Sequence, residues 1–200
     1  MDVTLFLSML GFLWVAAITP GPNNTLLAAA GANFGFFRSL PLMTGIMLGM
    51  QCILLLVAFG VGSLLLLYPA LHLTLKIAGS AYLLWLSWKI ATAKYERLET
   101  NVTASKPLAF WQGGLLQIIN PKAWIMALGA VASFSLAGSA YLHSVAMISV
   151  GIALVNIVAG IIWILFGSLI GLFLRSQRAW MIFNIFMGLL TAACVLLIWH

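Results

Sequence analysis

Long apolar segments separated by short polar ones run along the whole chain. A membrane-spanning helix needs about 20 apolar residues, and six segments approach or exceed that length: 3–34, 40–67, 70–92, 108–137, 142–173 and 179–199. Their apolar runs are continuous rather than alternating, which favours helices over strands. The pattern therefore predicts an all-α integral membrane protein with six transmembrane helices in a single domain covering residues 1–200.

Two of these segments are interrupted by proline. Residues 18–24 read ITPGPNN, and residues 120–121 are Asn-Pro. Proline removes a backbone donor and clashes with the preceding turn, so both helices should open at these points. Backbone groups that lose their partners are costly in hydrocarbon unless they are buried in protein or line a wet cavity. The breaks therefore predict a polar cavity at membrane depth.

The two breaks also indicate an internal repeat. Pro20 and Pro121 are 101 positions apart, and the polar residues Gln51 and Asn156, which follow them in apolar helices, are 105 apart. We interpret residues 1–93 and 108–200 as two three-helix repeats with broken first helices, joined by a linker at 94–107. Because three is an odd number, the second repeat must be inverted, which is a transporter architecture.

The broken helices offer both charges that a free amino acid needs. The half-helix after Asn23 begins with exposed N–H groups that suit a carboxylate. The half-helix before Thr19 should end in free carbonyls that suit an ammonium. Lys122 follows the second break, and it either attracts a carboxylate or serves as a snorkelling or gate residue. The predicted substrate-binding residues are Thr19, Pro20, Gly21, Pro22, Asn23, Asn24, Gln51, Asn120, Pro121, Lys122 and Asn156.

Other polar and small residues inside the segments allow two interpretations. The neutral side chains either line a pathway or form helix–helix hydrogen bonds; they are Gln51, Gln117, Asn156 and Asn184. Gly45 and Gly49 form a GxxxG pattern, for which close helix packing is the first expectation. A dimer interface there is the alternative, so a homo-oligomer stays open.

Charge is scarce and placed asymmetrically. Of the 200 residues 64% are hydrophobic, and nine Lys or Arg stand against three Asp or Glu. The second and fourth predicted loops hold no Lys or Arg, whereas the odd-numbered loops hold Arg38, Lys94, Arg97, Lys106, Arg175 and Arg178. This asymmetry predicts cytoplasmic odd-numbered loops and periplasmic termini. The basic residues form no stripe, so no nucleic-acid partner is predicted; the predicted partners are a small-molecule substrate and the lipid bilayer.

The chemistry of the segments excludes several functions. The acids Asp2, Glu96 and Glu99 all lie outside the apolar segments. No water-activating constellation for an enzyme is evident, and no metal or cofactor site is predicted. A proton relay cannot be assigned either, so proton antiport, exchange and facilitated diffusion stay open. Cys52 and Cys194 are expected to be small buried hydrophobes.

Four stretches resemble a known family over the whole chain: ITPGPNN (18–24), GANFGFFRSLPLMTGIMLG (31–49), KIAGSAYLLWLSWKI (76–90) and NPKAWIMALG (120–129). They are similar to the LysE/RhtB family of amino acid exporters, and within it they look closest to the cysteine and O-acetylserine branch. The resemblance implies a bacterial inner-membrane secondary transporter that exports small neutral amino acids or derivatives. The alternatives are export of threonine and homoserine, leucine or a basic amino acid, or a membrane scaffold without transport.

Overall fold

The chain is helical along its described length. A computed structural model describes residues 3–19, 21–60, 69–92, 107–173, 176–193 and 195–196, and these ranges contain no strand. The helices are α1 (Val3–Ile18), α2 (Pro22–Phe34), α3 (Phe36–Ala58), α4 (Pro69–Ala91), α5 (Phe110–Ile119), α6 (Pro121–Phe134), α7 (Tyr141–Phe173) and α8 (Gln177–Ala193), with a 3-10 turn at Gly138–Ala140. The predictions that concern Asp2, Pro20, the polar segment up to Lys106, Arg175 and Cys194 lie outside the described residues.

Prolines begin the second half of each broken segment. Pro22 and Pro121 are the first residues of α2 and α6, a position where the missing N–H would have no intrahelical partner. The axis bends by 57° between α1 and α2 and by 68° between α5 and α6. Both predicted interruptions are therefore confirmed.

Each of the six predicted segments contains helix within its described residues, but not all of them qualify as membrane spans. The two stretches Phe36–Ala58 and Gly138–Phe173 are long and apolar enough to cross a membrane alone. Each bent pair passes the same test as one unit, which brings the number of candidate spans among the described residues to four. The all-helical membrane class is thus confirmed at this coarser level.

Within the second predicted segment, helix α3 ends at Ala58, and Gly60 follows with a φ of 91°. Residues 61–67 of that segment lie outside the described residues. The Gly60 N–H donates to the Val57 carbonyl at 3.1 Å, and glycine tolerates this left-handed conformation at a helix end. Cys52 on this helix is exposed, so its predicted burial was wrong.

Glycines bring two pairs of helices into close contact. At the α2–α7 crossing, a Cβ on Gly167 would meet the Ala28 carbonyl, and one on Gly31 would meet the Ile164 carbonyl. Only glycine, whose side chain is a single hydrogen atom, allows two helix backbones to approach this closely. Helix α7 is therefore held against the second half of the first broken segment.

The α3–α5 crossing uses the GxxxG pattern. A Cβ on Gly45 would meet the Phe110 carbonyl, and one on Gly49 would lie 2.8 Å from the Gln117 Cγ. Gly113 on α5 is equally tight, because its Cβ would meet the Leu42 carbonyl. Close packing at Gly45 and Gly49 is confirmed, and it takes place within the chain.

Two apolar clusters surround the breaks. One is built mainly on α2, α3 and α4 and includes Leu26, Leu27, Leu42, Met43, Ile46, Leu83 and Leu86. The other joins α1, α3, α6 and α7 and includes Met9, Leu13, Met50, Ile53, Met126, Ile148 and Ile152. Residues of both clusters line one cavity, so the interrupted backbone and the space beside it lie between two packed regions.

Candidate functional site

The end of α1 is closed by side chains from other elements. The Asn24 amide donates to the carbonyls of Ala17, at 2.7 Å, and Thr19, at 2.8 Å. The Trp163 indole N–H donates to the Ile18 carbonyl at 3.3 Å. The Thr19 hydroxyl donates to the Ala16 carbonyl at 3.1 Å. The predicted free carbonyls are therefore wrong, because four consecutive carbonyls accept bonds from the protein itself.

The second break is capped in a similar way. The Asn120 side chain accepts a bond from the backbone N–H of Lys122 at 3.1 Å, which is an N-cap for α6. On the other side of the break, the Trp124 indole N–H donates to the Ile118 carbonyl at 2.8 Å. A tryptophan thus closes the first half-helix at both breaks. By contrast, Gly21 at the start of α2 offers no side-chain cap.

Three amide side chains join the two breaks directly. Asn23 and Gln117 exchange two hydrogen bonds, at 3.1 Å and 2.8 Å. The Asn120 amide donates to the Asn23 side-chain oxygen at 3.2 Å. Gln117 is fully buried and Asn120 is 1% exposed, so these bonds lie in a region shielded from water. The first and second breaks therefore meet, although about 100 residues separate them in the chain.

Lys122 makes a second link between the breaks. Its ammonium donates to the Thr19 carbonyl at 2.9 Å and to the Thr19 hydroxyl at 2.8 Å. The C-terminal end of a helix carries partial negative charge and stabilises a nearby cation. A positive side chain from the second break thus occupies the carbonyl end of the first.

A cavity of about 30 Å³ opens beside these groups. This volume holds roughly two water molecules. Its polar lining comes from Asn23, Asn24, Asn120, Lys122 and Asn156. Its apolar lining includes Leu27, Met43, Ile46, Met47, Met50, Met126, Ala159 and Gly160. A cavity therefore lies beside both breaks, and its lining combines amides and a lysine with apolar side chains.

Most of the predicted site residues meet at this cavity. Seven line it: Gly21, Pro22, Asn23, Asn24, Asn120, Lys122 and Asn156. Thr19 is exposed beside it and contacts it through Lys122. Pro121 begins α6 and is not part of the lining. Pro20 lies outside the described residues.

Gln51 lies elsewhere. Its amide donates to the Ser149 carbonyl at 3.1 Å, and its side-chain oxygen accepts from the Ser149 hydroxyl at 2.7 Å. These bonds join α3 to α7, so Gln51 follows the second interpretation of the polar residues, a helix–helix hydrogen bond. Asn184 does the same by exchanging two bonds with Asn33 at 2.9 Å and 3.3 Å.

Asn156 differs from the other amides of the cavity. It lines the cavity and is half-buried, and within the described ranges its side chain makes no hydrogen bond to the protein. A partly buried amide needs donors and acceptors to offset its desolvation. Asn156 is therefore the amide most able to bind a molecule that enters the cavity.

Sequence reasoning missed the methionines of the lining. Met43, Met47 and Met50 on α3 and Met126 on α6 face the cavity. A methionine in an apolar helix carries no signal that separates a cavity wall from a packed core. Thioether side chains are flexible and polarizable, so this wall can adjust its shape. No cluster of three or more His, Cys, Asp or Glu side chains that could hold a metal occurs in the part of the chain that the structure describes.

Comparisons with known proteins place the chain among transporters. Cysteine/O-acetylserine efflux proteins of Escherichia coli O1:K1 and of E. coli strain K12 are 33% and 32% identical to it, and each match covers 100% of both chains. A protein of the same description from Shigella sonnei is 32% identical over the same full length. No solved structure matches the chain. A model of the LysE type translocators matches residues 14–198, and the chain belongs to that family.

Proposed function

We propose that this protein is a secondary transporter that exports small neutral amino acids or derivatives, of the cysteine or O-acetylserine kind, across the bacterial inner membrane. The observation that carries the proposal is the meeting of two helix breaks at one amide-lined cavity. Interrupted helices in a transporter bind substrate near the middle of the membrane. Full-length relatives described as cysteine/O-acetylserine efflux proteins support this substrate class.

The proposed architecture is the six-span inverted repeat. Repeat one covers residues 1–93 and repeat two covers 108–200, with the linker at 94–107. The bends of 57° and 68° at corresponding places in the two halves support it. The absence of Lys and Arg from the second and fourth loops supports periplasmic termini and cytoplasmic odd-numbered loops.

The proposed site holds the charged ends of a zwitterion. Backbone N–H groups of the uncapped start of α2 and the Lys122 ammonium suit its carboxylate. The amides of Asn23, Asn24, Asn120 and Asn156 supply further donors and acceptors around the cavity. The flexible methionine side chains of the lining can adjust the shape of the cavity to the side chain of a bound substrate.

A neutral substrate suits the charges of the lining. The cavity wall contains one lysine and no acid among the described residues. A cationic side chain would therefore enter without a counter-charge, and burying an unpaired charge is costly. Lysine and arginine are for this reason poorer candidates than cysteine, serine derivatives or threonine.

Efflux from liposomes tests this function. Purified protein would be reconstituted into liposomes loaded with L-cysteine, O-acetyl-L-serine, L-threonine, L-leucine or L-lysine, with protein-free liposomes as the control. We expect L-cysteine and O-acetyl-L-serine to leave fastest and L-lysine to be retained. Release of only L-threonine, L-leucine or L-lysine would indicate that the protein has the substrate specificity of another branch of the family. If no amino acid leaves, a scaffold role replaces transport.

A matched pair of variants tests the site in the same assay. Asn156→Ala removes a cavity amide without breaking a protein hydrogen bond, so transport should fall several-fold while stability is unchanged. Gln51→Ala removes the bonds to Ser149, so it should lower stability and leave transport per folded molecule unchanged. Alanine at Asn23, Asn24 or Lys122 should also reduce efflux. Efflux that survives all of these site changes would show that substrate binds elsewhere.

A further inference from the structure

Lys122 already occupies the place where a substrate ammonium would be expected. It lies in the first turn of α6, and its side chain crosses to the first break, where Thr19 accepts from Nζ with its carbonyl at 2.9 Å and its hydroxyl at 2.8 Å. Gly21 leaves room for this path, because a Cβ there would lie 3.2 Å from both Cδ and Nζ of Lys122. A lysine ammonium and the amino group of a free amino acid are the same chemical group.

The Thr19 carbonyl has no lone pair left for a further donor. The Thr19 carbonyl accepts from Asn24 at 2.8 Å as well as from Lys122, and a carbonyl oxygen has two lone pairs. A substrate ammonium can therefore bind Thr19 only if one donor leaves. Asn24 is anchored by a second bond to the Ala17 carbonyl at 2.7 Å, whereas Lys122 reaches Thr19 at the end of a flexible stem. Lys122 is the donor that can be displaced.

A lysine displaced from Thr19 loses two acceptors. The cavity wall contains no acid among the residues that the structure describes, so no carboxylate of the wall can take their place. A zwitterion brings an ammonium and a carboxylate in the same molecule. Its ammonium can replace Lys122 on Thr19 while its carboxylate pairs with the displaced Lys122, and total charge balances throughout.

We propose that the Lys122 ammonium occupies the binding place of the substrate ammonium when no substrate is bound. When a zwitterion binds, its ammonium replaces Lys122 on Thr19 and its carboxylate pairs with the released Lys122, so that zwitterions are selected. This inference rests on the proposed function, because it concerns how the same cavity recognises an amino acid. A simple amine leaves two cations at one place, and an N-acylated acid cannot displace Lys122 from Thr19. Because Thr19 and Lys122 belong to different halves of the chain, the exchange also releases a link between the two breaks.

Binding of three related thiols tests the exchange. L-cysteine, cysteamine and N-acetyl-L-cysteine, all kept reduced, would be titrated into purified full-length protein in lipid nanodiscs by calorimetry. The wild type should bind L-cysteine at least about tenfold more tightly than either analogue. In Lys122→Met, cysteamine should bind more tightly than to the wild type because its competitor is gone. L-cysteine should bind more weakly because its carboxylate partner is gone, so the preference should shrink about tenfold or more. Lys122→Arg should retain the preference.

A second variant covers the case in which Lys122→Met does not fold. Lys122→Gln removes the charge but keeps a polar side chain, so the preference for L-cysteine over cysteamine should shrink in the same direction as in Lys122→Met. An unchanged ratio of cysteamine to L-cysteine affinity in folded Lys122→Met or Lys122→Gln would overturn the exchange. If the wild type binds none of the three thiols, both the proposed substrate class and the exchange are refuted. If the wild type binds L-cysteine but the ratio of cysteamine to L-cysteine affinity is the same in the variants, only the exchange is refuted.

Discussion

At the scale of single residues, buried amides have two separate tasks. Asn23, Gln117 and Asn120 bond to one another across the two breaks. Asn33 and Asn184 form a reciprocal pair of the same chemistry at the α2–α8 contact, away from the cavity lining. Residue type alone does not distinguish these tasks, because each residue is an amide in an apolar helix. The position of the amide relative to the cavity distinguishes them.

We predict that two asparagines of α2 separate stability from transport. Asn23→Ala should lower the free energy of unfolding by about 1–3 kcal/mol, because the fully buried Gln117 loses its reciprocal partner. Asn33→Ala should cost a similar amount by removing the bonds to Asn184. Only Asn23→Ala should reduce transport per folded molecule. Thermal denaturation in detergent and liposome efflux measure the two effects, and equal transport losses would contradict this division.

At the scale of elements, glycine decides how closely the helices pack. The α2–α7 and α3–α5 crossings both place a glycine against a backbone carbonyl of the partner helix. In lipid, helices gain little from hydrophobic burial against each other, so close backbone contact and van der Waals packing stabilise the bundle. The GxxxG pattern at Gly45 and Gly49 predicted one crossing. Gly167 and Gly171 on α7 have the same spacing and pack against Ala28 and Ala32 at the other crossing.

A pair of alanine substitutions tests this packing. In Gly167→Ala the new Cβ would overlap the Ala28 carbonyl, and forcing the helices apart should cost about 1–3 kcal/mol or more. Gly11→Ala is the control, since nothing lies within 4 Å of a Cβ there, and alanine is the better helix former. We expect Gly167→Ala to lower the thermal midpoint and the yield of folded protein, and Gly11→Ala to leave both unchanged or slightly higher. A tolerated Gly167→Ala would mean that this contact is looser than the structure indicates.

At the scale of the whole molecule, the orientation in the membrane rests on loop charge. Arg178 at the start of α8 is exposed, as is Arg38 in the first turn of α3. Both belong to predicted cytoplasmic loops, whereas the connection between α6 and α7 holds no Lys or Arg. Positive residues are retained on the cytoplasmic side during insertion. The two connections around α7 should therefore face opposite compartments.

Cysteine labelling in intact cells tests this orientation. With Cys52 and Cys194 replaced by serine, Ser139→Cys in the α6–α7 connection should react with a membrane-impermeant maleimide added outside. Ser176→Cys before α8 should react only after the inner membrane is permeabilised. Both serines are exposed, so a difference between them reports membrane side rather than burial. The reverse pattern would invert the topology, and labelling of both from one side would exclude a single crossing by α7.

Some of this protein could be predicted from its sequence alone. Apolar runs of spanning length determined the helical membrane class. A continuous apolar run in lipid must satisfy its backbone hydrogen bonds within itself, and a helix does so. Prolines at fixed places determined both breaks, since proline acts on its own turn of helix. Six of the seven predicted residues that line the cavity lie at these breaks and were found for the same local reason, whereas Asn156 was found from the internal repeat.

Other features depended on the tertiary structure. The tertiary structure determines that the Lys122 ammonium donates to Thr19. It also determines that Gln51 bonds to Ser149 and does not line the cavity. The methionine wall and the partnership of Asn23 with Gln117 were likewise decided there. Each of these depends on which helix lies opposite, at a sequence separation near 100 residues. Hydrophobic patterning specifies where a helix forms, but the contacts between helices specify which polar groups remain available.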